Sequence, residues 1–296
     1  CDWSSDVCSS DLFKAELNKK DSKQLGSLGA GFSIQKGVKT TVTIRNKTKH
    51  DISNFTIKVN GFESGDMRVS EVVLSKFSTK GKFVDIIHEI DVPVGYGFGC
   101  SAAVALSLSI ALNDALECKL SKIKVAQIAH DVEIECKTGL GDVLASYHGG
   151  FEIRDKPGAP GIGHVQKITL DKISIIMICF SPISTSKFIK EKLSQINGLG
   201  GKMVNNLLES KNYEHFQEMS LEFAKYVDVM TPRMQKVVNE LSKNNIKCGI
   251  ALFGETIFSM IPKENENKIL KILEKYSDGI IIKSELDDVG ARVLNN

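Results

Sequence analysis

The sequence predicts an α+β protein with two domains, in which a β-rich first half precedes a ferredoxin-like second half. Strand-like alternation of apolar and polar residues runs through positions 38 to 92, and a glycine-rich loop then leads into long helices. Near the end of the chain, the pattern becomes strand, strand, helix and strand. A chain of 296 residues with 42% hydrophobic content can bury a large core in such domains.

The elements of the first half follow from periodicity and glycine punctuation. Strands are predicted at 38 to 47, 55 to 59 and 83 to 92, and helices at 101 to 117 and 121 to 136. Asp142 opens a short helical or looped segment that ends at Gly149 and Gly150.

The second half begins after a linker candidate at 156 to 161, which reads Lys-Pro-Gly-Ala-Pro-Gly. A largely helical stretch is predicted up to about Ser242. The strands of this half are predicted at 165 to 170, 173 to 180, 246 to 252, 256 to 262 and 278 to 283, with a helix at 264 to 276. We therefore divide the chain into an N-terminal domain of residues 13–162 and a C-terminal domain of residues 163–296.

The first twelve residues, Cys-Asp-Trp-Ser-Ser-Asp-Val-Cys-Ser-Ser-Asp-Leu, read as the translation of a common sequencing-library adapter. On this interpretation the natural N-terminus has been replaced. We expect residues 1–12 to form an unpacked artefact tail with an exposed Trp3, because they contain few apolar side chains.

Composition excludes several classes of function. The formal net charge is +2, and the Lys and Arg residues are scattered without a dense block, which argues against nucleic-acid binding. No run of about 18 apolar residues predicts a membrane span. The cysteines outside the first twelve residues are widely separated and form no Cys-x-x-Cys pair. Free thiols of this kind predict a cytoplasmic location.

The most informative segment is a glycine loop that runs from Pro93 to Ala103, with the sequence Pro-Val-Gly-Tyr-Gly-Phe-Gly-Cys-Ser-Ala-Ala. Spaced glycines let the backbone turn its N–H groups inward, and the helix that follows adds free amides and a partial positive charge. The loop is therefore predicted to bind phosphate groups.

Two common phosphate loops do not match this segment. A Walker A loop needs Gly-Lys-Ser/Thr, but no lysine occurs between Pro93 and Glu117. A dinucleotide fingerprint needs a second strand soon after its helix, whereas helical sequence continues here to about Leu116. A plain glycine turn before a buried helix would explain the glycines, but not Pro93, Ser101 and the alanine pair together.

The loop resembles the signature of the GHMP small-molecule kinases, Pro-x-x-x-Gly-Leu-Gly-Ser-Ser-Ala-Ala, with Phe98 for the leucine and Cys100 for the first serine. A second run, from His130 through Glu133 to Thr-Gly-Leu-Gly-Asp at 138 to 142, resembles the archaeal pantoate kinase branch of that family. Further matching segments are 26–31, 37–38, 154–161, 182–185, 252–258 and 290–294.

The resemblance implies the two-domain GHMP kinase fold, with ATP and Mg²⁺ as cofactors and pantoate as the acceptor. It implies phosphorylation of pantoate to 4-phosphopantoate for coenzyme A biosynthesis. The alternatives are another GHMP kinase, acting on homoserine or mevalonate, and a metabolite sensor without turnover. A homodimer is compatible with the resemblance.

The resemblance also implies roles for particular residues. Asp142 would orient or deprotonate the acceptor hydroxyl, while Ser101 and Glu133 would ligate Mg²⁺. The nucleotide-binding residues would be Pro93, Gly95, Gly97, Phe98, Gly99, Cys100, Ser101, Ala102 and Ala103. The acceptor-binding residues would be Ser27, Arg154, Lys156 and Thr185, with Arg154 the first choice for the carboxylate and Lys156 the second.

Each role has a structural alternative. Asp142 and Ser101 could cap their helices, and Glu135 competes with Glu133 as the metal ligand. Cys100 is interpreted as a packing substitution, and His130 as a structural residue.

Two more positions carry family expectations. Leu28 stands where many family members carry arginine, so one cation of the acid-binding set is missing. Gly254 matches the third GHMP motif, which packs near the phosphate loop, although a tight turn between strands would also explain it.

Overall fold

The computed structural model describes residues 2–62 and 66–293, with the backbone alone for residues 2–6, 8–10 and 293. The strands are β1 (Asp2–Glu16), β2 (Gly26–Asn46), β3 (Phe55–Gly61), β4 (Lys82–Ile90), β5 (Phe151–Lys156), β6 (His164–Ile168), β7 (Ile173–Pro182), β8 (Gly249–Ala251), β9 (Gly254–Pro262), β10 (Ile280–Glu285) and β11 (Arg292–Val293). The helices are α1 (Arg68–Ser75), α2 (Cys100–Ala115), α3 (Lys122–Cys136), α4 (Asp142–His148), α5 (Thr185–Ser210), α6 (Tyr213–Tyr226), α7 (Pro232–Lys243) and α8 (Glu266–Leu273).

The first sheet has seven strands in the order β11-β1-β2-β4-β3, and β5 pairs with β2 while β6 pairs with β5. Only the β3–β4 pair is parallel among these described strands. Helix α2 packs against β1 and β2 and is buried from Cys100 to Leu112 on nearly every face, so it is the central helix of this layer. Within the described residues, no helix is both long and apolar enough to cross a membrane.

The second sheet has the strand order β10-β7-β9-β8, and every pair in it is antiparallel. With β7 counted as the first strand this order is 4-1-3-2, with helices between the first and second strands and between the third and fourth. This is the ferredoxin-like arrangement that the strand pattern predicted.

One hydrophobic core joins the two sheets. Phe32 of β2 lies 4.8 Å from Phe258 of β9, between ring centroids, and Phe216 of α6 lies 5.1 Å from Phe151 of β5. All four rings are buried. Aromatic contacts of this kind bury large areas and hold the second sheet firmly on the first.

The predicted elements are present in the structure, but β2 begins at Gly26 and not at residue 38, and α1 was not predicted. The sheets also interlock more than a single boundary suggests. Strand β6 belongs to the first sheet although it begins at His164, and β11 returns to pair with β1 near the end of the chain. The second sheet begins only at Ile173. The domain boundary between residues 162 and 163 stays a prediction.

The expectation that residues 1–12 are unpacked is wrong. They form most of β1, which pairs with β2 from Asp2 opposite Thr41 to Glu16 opposite Gly26. Val7 and Leu12 are completely buried. The composition argument failed because backbone hydrogen bonds between strands do not depend on the side-chain type. The side chain of Trp3 lies outside the described residues, and the adapter interpretation of the sequence stays a hypothesis.

Replacing the buried Leu12 should therefore destabilise the protein. Leu12→Ala removes a fully buried side chain and should lower the free energy of unfolding by about 3 kcal/mol in chemical denaturation. The matched control is Leu17→Ala, at a side chain that is 41% exposed, with an expected change within about 0.5 kcal/mol. Equal, small effects of both substitutions would restore the view that this segment is unpacked.

Candidate active site

The glycine loop has the backbone conformation expected of a phosphate cradle. Gly95, Gly97 and Gly99 have φ angles of +87°, +89° and +58°, which favour glycine over any other residue. Helix α2 begins at Cys100 with Gly99 as its N-cap, and no side chain caps it. Ser101 is therefore not a helix cap, and the first amides of α2 stay available to an anion.

Several side chains of the loop are buried. Pro93, Phe98, Ala102 and Ala103 are buried, so only their backbone could meet a nucleotide. Burial also raises the pKa of the Cys100 thiol to about 12, which agrees with its interpretation as a packing residue.

Residues of the second sheet hold the loop in place. The Ile183 N–H donates to the Gly95 carbonyl oxygen at 3.0 Å, and the Thr256 hydroxyl donates to the Tyr96 carbonyl oxygen at 2.8 Å. A Cβ on Gly254 would collide with the Tyr96 backbone. Gly254 is thus packed against the phosphate loop, as its place in the third motif predicted.

Two carboxylates converge beside this loop. Glu133 extends from α3 and Asp142 is the first residue of α4, and both side chains reach the face of Gly139 where a Cβ would lie. A Cβ on Gly139 would overlap the Glu133 carboxylate and lie 2.7 Å from Asp142 Oδ2. The helix cap of α4 is Gly141, with no side-chain cap bond, so Asp142 does not act as the N-cap.

The Glu133 carboxylate is buried in surroundings that disfavour its negative charge. Both of its oxygens are buried without a hydrogen-bond partner among the described residues. Burial, and then the nearby Asp142 carboxylate, raise the pKa of Glu133 well above its ordinary value. The N–H groups of Val143 and Asp142 face it and lower this pKa, but neither completes a regular hydrogen bond. Carboxylate oxygens are ligands that a hard cation such as Mg²⁺ prefers.

Glu135, the alternative ligand, points elsewhere. Its carboxylate is exposed and accepts a hydrogen bond of 2.6 Å from Lys76 of α1. His130, on the same helix, is buried with Nε2 3.2 Å from the Ser22 carbonyl oxygen, as expected of a structural residue.

Arg154 forms the cationic part of this region. Its side chain is fully buried on β5 and donates to Glu152 in a buried ion pair. A Cβ on Gly29 would overlap the Arg154 guanidinium, and one on Gly141 would press on Arg154 Nε and Cδ, so both glycines make room for this side chain. Ser27 Oγ lies against the same face of Gly141. Burial raises the pKa of Glu152 to about 7, against the opposing effect of Arg154.

A narrow cleft brings several predicted site residues together. Ser101, Asp142 and Thr185 line it with the glycine loop, and so does Thr138, whose Oγ1 is buried with no hydrogen-bond partner among the described residues. Lys156 does not line this cleft, because it is exposed at the end of β5.

A larger groove of about 690 Å³ adjoins the cleft at Gly139 and at residues 185–186. Five aliphatic side chains, three lysines and one glutamate line it, and they are Leu17, Ile134, Leu140, Ile189, Leu193, Lys137, Lys187, Lys190 and Glu191. The groove suits a small anionic molecule with an apolar body.

Sequence reasoning missed Glu152 and gave Thr138 no separate role. Glu152 and Arg154 are two residues apart on a strand and therefore share one face, which could have indicated the pair. No local pattern marks the Thr138 hydroxyl, since its environment depends on how α3 meets α4.

Comparison with known proteins shows which family the chain resembles. Residues 67–150 match the family described as GHMP kinases N terminal domain. The pantoate kinase of Methanocaldococcus jannaschii is 33% identical over 84% of this chain and 88% of that protein. The pantoate kinase of Thermococcus kodakarensis is 27% identical over 84% of this chain and 83% of that protein.

Two solved structures share the fold. One, described as a phosphotransferase related to the CoA biosynthesis pathway, superposes with a TM-score of 0.87 at 24% identity and covers 99% of this chain and 97% of its own. Homoserine kinase from Cytophaga hutchinsonii superposes with a TM-score of 0.70 at 18% identity, over 99% of this chain and 96% of its own.

The fold and the matched domain place the chain in the class of GHMP kinases. Within that class, it belongs to the pantoate kinase family.

The close approach at Gly139 gives a test of the site. Gly139→Ala should lower kcat by roughly tenfold or more, because the new methyl group would displace the carboxylates of Glu133 and Asp142. Steady-state ADP release measures this effect. Gly198→Ala is the matched control, since its methyl group in α5 would meet only the Tyr226 hydroxyl, at 3.1 Å. Unchanged kcat in Gly139→Ala would separate these carboxylates from catalysis.

Proposed function

We propose that the protein is an ATP- and Mg²⁺-dependent kinase that phosphorylates pantoate on its primary hydroxyl, giving 4-phosphopantoate for coenzyme A biosynthesis in the cytoplasm. The observation that carries the proposal is the convergence of Glu133 and Asp142 beside an uncapped glycine loop. Phosphoryl transfer needs bound phosphates, a cation and a positioned acceptor hydroxyl, and these groups can supply all three.

The loop amides between Gly97 and Ala102 would bind the nucleotide phosphates, and the base would lie in the cavity beside Ser101, which Val59, Val69 and Val94 help to line. Mg²⁺ would be held by the Ser101 hydroxyl and the Glu133 carboxylate and would neutralise charge on the transferred phosphoryl group. The orphaned oxygens of Glu133 fit this cation. No group of three or more His, Cys, Asp or Glu side chains suited to a metal occurs among the described residues, so phosphate oxygens and water would complete the coordination.

Asp142 would accept a hydrogen bond from the acceptor hydroxyl and orient it towards the phosphoryl group, taking its proton as transfer proceeds. Ser27 and Thr185 would donate hydrogen bonds to the acceptor. Arg154 would attract its carboxylate by its positive charge, from a buried position beside Gly29 and Gly141. Lys156 remains the second candidate for this role.

The charge of the adjoining groove favours pantoate over homoserine. Pantoate is an anion with two methyl groups on its central carbon, and both features match a groove with aliphatic and lysine side chains. The ammonium group of homoserine would instead meet a groove whose net charge is positive, because its three lysines outnumber its one glutamate, Glu191.

A coupled assay of ADP release over a panel of hydroxy acids tests the proposal. We expect turnover with pantoate and little with homoserine or mevalonate. Preferential turnover of either alternative would refute the substrate, and nucleotide binding without turnover of any acceptor would favour a sensor.

A further inference from the structure

A buried polar network lies behind the phosphate loop and takes no part in the proposed reaction. His88 of β4 is at its centre, with Nδ1 2.9 Å from Thr40 Oγ1 and Nε2 3.0 Å from Ser70 Oγ. Thr40 Oγ1 lies 2.7 Å from Ser107 Oγ of α2. All four side chains are at most 3% exposed. The network therefore links α1, two central strands and α2 through the core.

The hydrogen-bond geometry assigns one arrangement of protons that uses every contact. The Nδ1–H of His88 donates to Thr40, the Thr40 hydroxyl donates to Ser107, and the Ser70 hydroxyl donates to Nε2. The Ser107 hydroxyl then donates to the Val104 carbonyl oxygen at 3.3 Å. If these hydrogen bonds ran in the opposite direction, the Ser107 hydroxyl would donate to Thr40 and could not donate to the Val104 carbonyl oxygen. Burial lowers the pKa of His88 to about 4, so the ring is neutral in this arrangement.

The network forms part of the wall of the cavity beside the loop. Ser70 and His88 line this cavity together with Cys100, Ser101 and Val104. Ser70 belongs to α1, a helix of eight residues that has no side-chain cap and begins after Met67. Such a short helix has little stability of its own, so its position depends on tertiary contacts.

Among the described residues, the other polar side-chain contacts that leave α1, or Lys76 directly after it, run to α3 and not to the phosphate-loop helix. The Arg68 guanidinium donates to the Cys136 carbonyl oxygen, and Lys76 pairs with Glu135 at the surface. The contact between Ser70 and His88 is thus the buried polar link from α1 towards α2.

We propose that His88 is a positioning residue for nucleotide binding, which fixes α1 relative to the phosphate-loop helix through Ser70 and Thr40. The inference rests on the proposed function, because a nucleotide is the expected occupant of this part of the site. Loss of the Ser70 link leaves two buried polar groups unpaired and lets α1 shift, which changes the shape of the cavity beside Ser101.

Two amide variants separate the two links of His88. His88→Gln places an amide near the position of Nε2 and keeps the Ser70 link, whereas His88→Asn reaches only the position of Nδ1 and keeps the Thr40 link. We expect His88→Asn to raise the Kd for a non-hydrolysable ATP analogue and the KM for ATP by about tenfold, with kcat and the KM for pantoate nearly unchanged. His88→Gln should stay within about threefold of the wild type on the same measurements.

Ser70→Ala cuts the same link from the side of α1 and should reproduce the nucleotide effect even if a substitution at His88 prevents folding. Ser75→Ala is the matched control, because that hydroxyl binds only the Val72 carbonyl oxygen at the exposed end of α1. Unchanged nucleotide affinity in Ser70→Ala, or a parallel loss of kcat and of both KM values, would overturn the positioning role.

If the proposed function is wrong, the wild type will release no ADP with any acceptor. The hydrogen bond between Ser70 and His88 would then be tested by hydrogen exchange of the α1 amides. Faster exchange in His88→Asn and Ser70→Ala than in His88→Gln supports the link, and equal exchange in all three refutes it.

Discussion

Asp142→Asn should lower kcat by roughly 10²-fold or more while the melting temperature stays nearly constant. Asparagine keeps the size of the side chain but can neither accept a proton nor carry charge beside the acceptor hydroxyl. The effect on stability is limited because Gly141, and not Asp142, is the N-cap of α4. Removal of one charge from the first turn of this helix should cost about 1 kcal/mol at most.

Asp114→Asn is the control for the change of charge, since Asp114 is an exposed residue near the end of α2, away from the cleft. Its kcat should match that of the wild type. A near-normal kcat in Asp142→Asn, accompanied by a clearly lower melting temperature, would assign Asp142 a purely structural role.

Glu133→Gln should lower kcat by a similar factor, roughly 10²-fold, for a different reason. The amide is a much weaker ligand for Mg²⁺ than a carboxylate, so the concentration of Mg²⁺ needed for half-maximal activity should rise. The melting temperature without ligands should stay constant or increase, because the substitution removes an ionisable group from a buried site without a hydrogen-bond partner.

Glu135→Gln provides the matched control on the same helix. Glu135 is exposed and paired with Lys76, so its loss should leave the dependence on Mg²⁺ unchanged. If Glu135→Gln and not Glu133→Gln raised the Mg²⁺ requirement, the two assignments would have to be exchanged.

The glycine loop could be predicted from the sequence because its chemistry is local. Positive φ angles at Gly95, Gly97 and Gly99 follow from residue type and spacing, and the helix that follows is marked by its own apolar residues. The ferredoxin-like strand order was also accessible, since it follows from the succession of strands and helices.

Features that depend on distant parts of the chain could not be predicted from the sequence in this way. The composition of β1 suggested an unpacked segment, yet the strand is held by β2 on one side and β11 on the other. The burial of Arg154 depends on glycines at positions 29 and 141, which only the fold brings together. The roles that we assign to the individual site residues stay predictions until the variants are measured.

The hydrogen bonds that the second half of the chain donates to the phosphate loop have a thermodynamic consequence. Because Ile183 and Thr256 bind the carbonyl groups of Gly95 and Tyr96, the loop can keep its conformation only while β7 and β9 are folded. Binding of a nucleotide to the loop would therefore be coupled to the folding of both halves, and by reciprocity it would stabilise the second sheet as well as the first. Ligand binding would make the two halves unfold as one cooperative unit, even though each has a sheet of its own.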